Sequence, residues 1–190
     1  MSCPKYILTM QHLSRRAFKR EPETGARYWA IPGQEGYEHI LGGLEKDGDT
    51  GAISTDPENH DKMCRLRAAK VFKIPVPDLE VQGDADDADL LIVGFGGTFG
   101  HLYSAMEEMR SAGHKVALAH FNYINPLPKN TAEVLGKYKK VVVAEQNLGQ
   151  FAGYLRMRID NFMPYQFNQV KGQPFVVGEL VKAFTKIINN

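Results

Sequence analysis

From residue 89 onward the chain alternates apolar blocks with helical stripes. Leu90-Leu91-Ile92-Val93 is an unbroken apolar run, the pattern of a strand covered on both faces. A glycine turn, Gly94 to Gly100, leads into a helix with Leu102, Met106 and Met109 on one stripe. Lys115 to Phe121 predicts a second strand and Val141 to Ala144 a third. Between them lie the loop Asn122 to Pro128 and a short helix starting near Asn130. Phe151, Leu155, Ile159 and Phe162 then recur at helical spacing, and the last helix carries Leu180, Phe184, Ile187 and Ile188. Strands alternating with helices predict a three-layer α/β/α domain around a mainly parallel sheet.

Residues 1–82 have a different pattern. Tyr6 to Thr9 predicts one strand, and the basic patch Arg15, Arg16, Lys19 and Arg20 reads as a solvated helix face. From Glu21 to Thr55 no period of 2 or 3.6 is sustained. A structureless segment of that length is improbable inside a compact domain, so it is expected to lie along a surface that something else supplies. One firm helix follows. Asp56 is placed to cap it, Pro57 suits its first position, and Met63, Leu66 and Ala69 carry it to about Phe72 before Pro75 and Pro77 end it. The acidic, Gly-containing stretch Gln82 to Ala88 reads as a joint. The expected division is therefore an arm, 1–82, and an α/β domain, 83–190.

Composition narrows the function. A chain of 190 residues with 43% hydrophobic and 24% charged residues has enough apolar material for a core. A net charge of +1 speaks against nucleic acid or an anionic membrane as the main partner, because both are held by neutralising phosphates. No apolar run approaches the ~20 residues of a membrane span, and no basic-then-apolar leader pattern opens the sequence. A cytoplasmic chain is expected. The cysteines number two, Cys3 and Cys64, too few for a four-cysteine iron–sulfur cluster. Cys64, in mid-helix beside Met63, reads as a buried or half-buried inert thiol.

Chemistry is sparse at the level of residues. Gly94, Gly96 and Gly100 sit where backbone amides cradle phosphates, but the spacing is G-x-G-x-x-x-G, with Phe99 in the third glycine's place. The second strand ends in His120-Phe121-Asn122 and offers no acid for a ribose. A tight strand-to-helix turn is the simpler reading, and a free-standing nucleotide- or small-molecule-binding module the alternative. The six histidines form no H-E-x-x-H or H-x-H pattern, so no metal site is expected. Glu145-Gln146-Asn147 ends the third strand, where parallel sheets place their sites, although a helix cap would use the same residues. Asn125-Pro126, after the second strand, opens onto the same sheet edge.

Several stretches together resemble one family, the thiamine-diphosphate-dependent 2-oxoacid:ferredoxin (acceptor) oxidoreductases, in particular the alpha subunit of the 2-oxoglutarate type. Ile31-Pro32-Gly33, Gly43-Leu44-Glu45-Lys46-Asp47 and Ser54 to His60 with Lys62, Met63 and Arg67 are similar to that family's linker. Asp89 to Gly94, Asn125 to Pro128, Val143 to Gln150 and Gly172 to Phe175 are similar to its transketolase-C-like domain. Pro4 to Leu13 resembles only the last strand of its pyrimidine-binding domain. Two departures stand out: Lys46 replaces a usual histidine, and Met10 a common aspartate.

The resemblance implies the C-terminal third of an alpha subunit. The full enzyme it points to decarboxylates a 2-oxoacid on thiamine diphosphate and Mg2+, passes electrons through an iron–sulfur cluster to ferredoxin, and releases an acyl-coenzyme A. This chain alone is expected to bind none of these groups and to be inert. It would pack against a thiamine-binding beta subunit and the missing alpha-subunit domains. Glu145, Asn147, Gln150 and Asn125 on the domain, and Glu45 and Asp47 on the arm, are the residues expected to face partners or shape the site.

Overall fold

The computed structural model describes residues 18–28 and 30–190, so the strand expected at Tyr6 to Thr9 lies outside the described residues. The chain divides into two units, Met1–Pro75 and Val76–Asn190.

The first unit is built from turns and one helix, α1 (Pro57–Phe72). The Asp56 carboxylate accepts from the backbone N–H of Glu58 at 3.3 Å and of Asn59 at 3.2 Å, so α1 starts where its cap and proline dictate. Before it, two isolated antiparallel bridges, Arg20 with Arg27 and Lys46 with Ile53, close turns whose amides are gathered by Glu21 and Asp47. Lys19 and Arg20 are therefore not on a helix. Burial here is thin: Phe18, Met63, Lys46 and Asn59 are the buried residues described. Asn59 Nδ2 donates to the Lys46 carbonyl at 3.1 Å and ties α1 to the second bridge. Ile31, Ile40, Leu41, Leu44, Ile53, Phe72 and Ile74 remain exposed.

The second unit is a five-stranded sheet in the order β1-β3-β2-β4-β5. The parallel strands are β2 (Leu90–Phe95), β3 (Val116–Phe121), β4 (Val141–Glu145) and β5 (Tyr165–Asn168). On one edge β1 (Val81–Gly83) pairs antiparallel with β3. Alternation of side chains sends Leu91, Val93, Ala117 and Val143 to one face and Leu90, Ile92, Leu118 and Val142 to the other. The first face is covered by α3 (Thr131–Gly136) and α4 (Gln150–Arg158) through Leu135, Phe151 and Leu155. The second is covered by α2 (Phe99–Ser111) and α5 (Val177–Asn189) through Leu102, Met106, Leu180 and Phe184. This is the three-layer, mainly parallel α/β/α arrangement that the hydrophobic pattern predicts.

Three details differ from the sequence reading. The stretch 82–88 is not a free joint, and the units divide at Pro75 rather than 82. Its Asp84 accepts from Arg110 Nε at 2.9 Å and from the Val116 amide at 3.2 Å, and Tyr138 Oη donates to the Ala85 carbonyl at 2.6 Å. α4 ends at Arg158, because Ile159 is already extended (φ −129°) and Asn161 turns through φ 56° towards β5. Phe162 nevertheless packs on the same core face. β1 and β5 carried no clear signal: each is a short edge strand, and Tyr165 to Asn168 mixes exposed and half-buried positions.

Candidate functional site

In the second unit, β2 feeds α2 on one face while its neighbour β4 feeds α4 on the other. Adjacent parallel strands whose exits diverge leave a crevice at their carboxyl ends, where doubly wound sheets bind ligands. On the β2 side the chain makes a single 3-10 turn, Gly96–Thr98, before α2. Thr98 Oγ1 donates to the Phe95 carbonyl at 2.8 Å. Gly94 is required by packing: a Cβ there would lie 2.2 Å from Leu102 Cδ1. That close approach of helix to strand is the reason for the first glycine of the motif, and it needs no phosphate.

On the β4 side Glu145 is completely buried, and its carboxylate accepts from the amides of Phe151 at 2.8 Å and Ala152 at 3.0 Å. A buried carboxylate facing the first amides of a helix is held by charge-assisted hydrogen bonds and by the helix dipole. Asn147 Oδ1 accepts from Gly149 and Gln150 N–H, and Gln150 Oε1 accepts from Leu148 N–H at 3.0 Å. The loop is thus organised by its own polar side chains, with the Gln146 Nε2 to Gln173 carbonyl bond, 2.8 Å, fastening it to the Gly172-Phe175 segment. Leu148 projects from its tip, 80% exposed. Asn125, exposed and joined to Pro126 by a cis peptide bond, lies beyond β3, on the other side of β2 from that loop. Phe95, Phe121 and Phe151 pack with centroids 4.9 and 5.1 Å apart beneath the crevice.

His120 is the residue here whose setting the sequence did not reveal. It pairs in register with Gly94, its ring meets Phe99 edge-on at 5.1 Å, and its Nε2 is buried with no partner among the described residues. Burial lowers its pKa below the ordinary histidine value, against the opposing pull of the Gly96 and Phe95 backbone and of Asn122. The charged form is disfavoured.

In the first unit Glu45 and Asp47 do separate jobs. The Glu45 carboxylate receives Arg67 Nη1 at 2.9 Å and Nη2 at 3.3 Å and meets His60 Nδ1 at 2.8 Å. Hydrogen bonding to Arg67, then to His60, pulls its pKa down to about 2. Asp47 accepts from Thr50 N–H and Oγ1 and from Asp49 N–H, which also brings it to about 2. Lys46, the departure from the family's histidine, is buried, and its Nζ donates to the carbonyls of Gly42 at 3.0 Å and Leu44 at 2.8 Å. Cys64 is exposed, contrary to the expected buried thiol, because α1 turns only Asn59 and Met63 inward. Its Sγ lies 3.7 Å from His60 Nε2 and accepts from Arg67 Nη2 at 3.2 Å. Glu45, His60 and Cys64 together form a three-donor cluster that no spacing rule would have found, since Glu45 comes from the preceding turn.

Among the described residues no set fits Mg2+ or an iron–sulfur cluster. The buried carboxylate Glu145 is engaged by backbone amides. Glu45, His60 and Cys64 are a mixed nitrogen, oxygen and sulfur set, whereas Mg2+ takes oxygens. The whole chain holds two cysteines.

The fold and crevice define an α/β domain of the doubly wound class. The family described as pyruvate:ferredoxin oxidoreductase core domain II matches residues 88–178. The chain is 47% identical over 165 residues to 2-oxoglutarate oxidoreductase subunit KorA of Mycobacterium tuberculosis, a match covering 86% of this chain and 25% of that protein. It is 33% identical over 116 residues to 2-oxoglutarate synthase subunit KorA of Methanocaldococcus jannaschii, covering 61% of this chain and 31% of that one. A solved 2-oxoglutarate:ferredoxin oxidoreductase from Magnetococcus marinus, with 2-oxoglutarate, coenzyme A and succinyl-CoA bound, superposes with a TM-score of 0.80 at 28% identity. That match covers 95% of this chain and 32% of the solved one. The chain is a homologue of 2-oxoglutarate:ferredoxin oxidoreductase alpha subunits. It spans about a quarter to a third of the length of these relatives. The free-standing nucleotide-binding alternative is not favoured.

Proposed function

We propose that this chain is the core-domain-II portion of the alpha subunit of a 2-oxoglutarate:ferredoxin oxidoreductase, serving subunit assembly and active-site shaping. The observation that carries this reading is the 47% identity over 86% of the chain to a 2-oxoglutarate oxidoreductase subunit of which the match covers 25%. Thiamine diphosphate, Mg2+ and the iron–sulfur cluster belong, on this reading, to the rest of the assembly, and the chain contributes no step on them. Its own residues hold the shape of the surface. Glu145 fixes the start of α4, Asn147 and Gln150 set the loop, and Leu148 is presented outward for a neighbouring subunit. Asn125 extends that surface beyond β3. On the arm, Asp47 fixes a turn and Glu45 ties the chain before α1 to that helix through Arg67 and His60.

The first unit supports the assembly reading independently. Its helix buries two residues, while seven large apolar side chains before and after that helix's core stay exposed. Exposed apolar area on so small a unit is the mark of a surface completed by a partner. The partners proposed are a thiamine-binding beta subunit and the remaining alpha-subunit domains, with ferredoxin reached through the complex in the cytoplasm. Co-expression of this chain, tagged, with those components tests it. Stoichiometric co-elution through size-exclusion chromatography at high salt is expected; recovery of the tagged chain alone, with the partners folded, would refute it.

A further inference from the structure

The first unit carries a feature that assembly does not use. A cavity of about 420 Å3 is lined by Phe18, Arg27, Glu45, Lys46 and His60 with Leu41 and Leu44 at its side. Glu45 is the carboxylate of this lining, and both its oxygens are taken by Arg67, with His60 on one of them. Its charge is therefore matched before Arg27 and Lys46 are counted. Lys46 is held by two neutral carbonyls. Arg27 lies over the Phe18 ring, 4.4 Å from the centroid, and takes no hydrogen-bond acceptor among the described residues. Arg20, bridged to Arg27 through the backbone, donates from Nη1 to the Gly25 carbonyl at 2.9 Å and keeps a buried Nε with no partner among the described residues. Burial first, then repulsion from Arg67 and, for Arg27, from Arg20 as well, lowers the proton affinity of Arg20 and Arg27, with Glu45 pulling Arg27 the other way.

We propose that this pocket is an oxyanion site, with the Arg27 guanidinium as its principal ligand and Lys46 and Arg20 supplying the surrounding positive field. A planar fork that is pinned on an aromatic face and lacks an acceptor is preorganised for two parallel N–H···O bonds to one carboxylate or phosphate. Binding such a group relieves the repulsion among the arginines, and the Glu45 carboxylate it would meet in the lining is already engaged by Arg67. A cation at Glu45, His60 and Cys64 is the less favourable occupant, because Arg67 already donates to both the carboxylate and the thiol.

The test is a titration of the full 190-residue chain, followed by amide NMR, with pyrophosphate and, separately, with succinate. Saturable shifts at Arg27, Lys46 and His60 are expected, weakening as salt is raised. Arg27→Gln should weaken binding by about tenfold or more, as loss of a charge-assisted pair implies. Arg27→Lys, which keeps the charge and loses the fork, should fall between. Unchanged α1 resonances in both variants show that the unit is still folded. Saturation by pyrophosphate alone assigns a phosphate ligand, and by succinate alone a carboxylate. Saturation by neither, or wild-type binding by a folded Arg27→Gln, overturns the proposal. The assembly reading stands or falls separately, on partner capture.

Discussion

Glu145 shows how one side chain decides local order. The carboxylate is buried yet meets two donors that α4 would otherwise leave unpaired. Glu145→Ala removes both acceptors and should destabilise the second unit by about 2 kcal/mol, read as a lower urea midpoint with an unchanged slope. Glu145→Gln keeps one carbonyl oxygen and should recover part of the loss. Glu45 and Asp47 predict a pH effect in the first unit. Both have folded pKa values of about 2, below their ordinary 4.5 and 3.8. Groups whose pKa is depressed on folding stabilise the fold above their unfolded pKa and lose that stabilisation as pH falls. Order in the first unit, followed by amide exchange in the turn at Thr50 and in α1, should therefore decline between about pH 4.5 and 2. In Glu45→Gln with Asp47→Asn that decline should flatten.

At the scale of elements, the glycines that matter are two, and for different reasons. Gly149 sits at φ +96°, and a Cβ there would come 2.6 Å from Gln166 Oε1, so Gly149→Ala combines backbone strain with a clash. It should cost about 1–3 kcal/mol, measured by thermal unfolding. Gly94, by contrast, has room taken by Leu102, and Gly94→Ala should be partly rescued by Leu102→Ala, a coupling that a double-mutant cycle resolves. The central strands and the amphipathic helices were legible in the sequence because they are either covered on both faces or carry one apolar stripe. β2, β3 and β4 sit within a residue or so of where their apolar runs place them, and Asp56-Pro57 set the start of α1. β1 and β5 were not legible, because an edge strand three or four residues long has one neighbour and little burial to impose a pattern. The Glu145 loop was found, but which of its polar groups caps α4 was not. Asn147 and Glu145 are equally plausible caps by composition, and only the turn geometry divides the helix amides between them, Gln150 to Asn147 and Phe151 and Ala152 to Glu145. The Glu45, His60 and Arg67 cluster was hidden because it joins residues up to 22 apart across a turn with no period.

For the whole molecule, the contrast between the two units carries the argument. The second has a core on both faces of its sheet, whereas the first buries four described residues and leaves apolar side chains in solvent. On the proposed reading such a segment completes its core against something larger, and its matches cover only 25% to 32% of the relatives' length. The claim is that these residues support a reaction whose cofactor groups are carried by other parts of the assembly. The most direct measurement is 2-oxoglutarate-dependent reduction of ferredoxin, with coenzyme A and thiamine diphosphate present, by the purified chain and by the chain combined with the beta subunit and the remaining alpha-subunit domains. The account predicts no turnover by the chain alone and turnover by the combination that is lost when the chain is left out. Turnover by the chain alone, or full activity of the other components without it, would contradict the account.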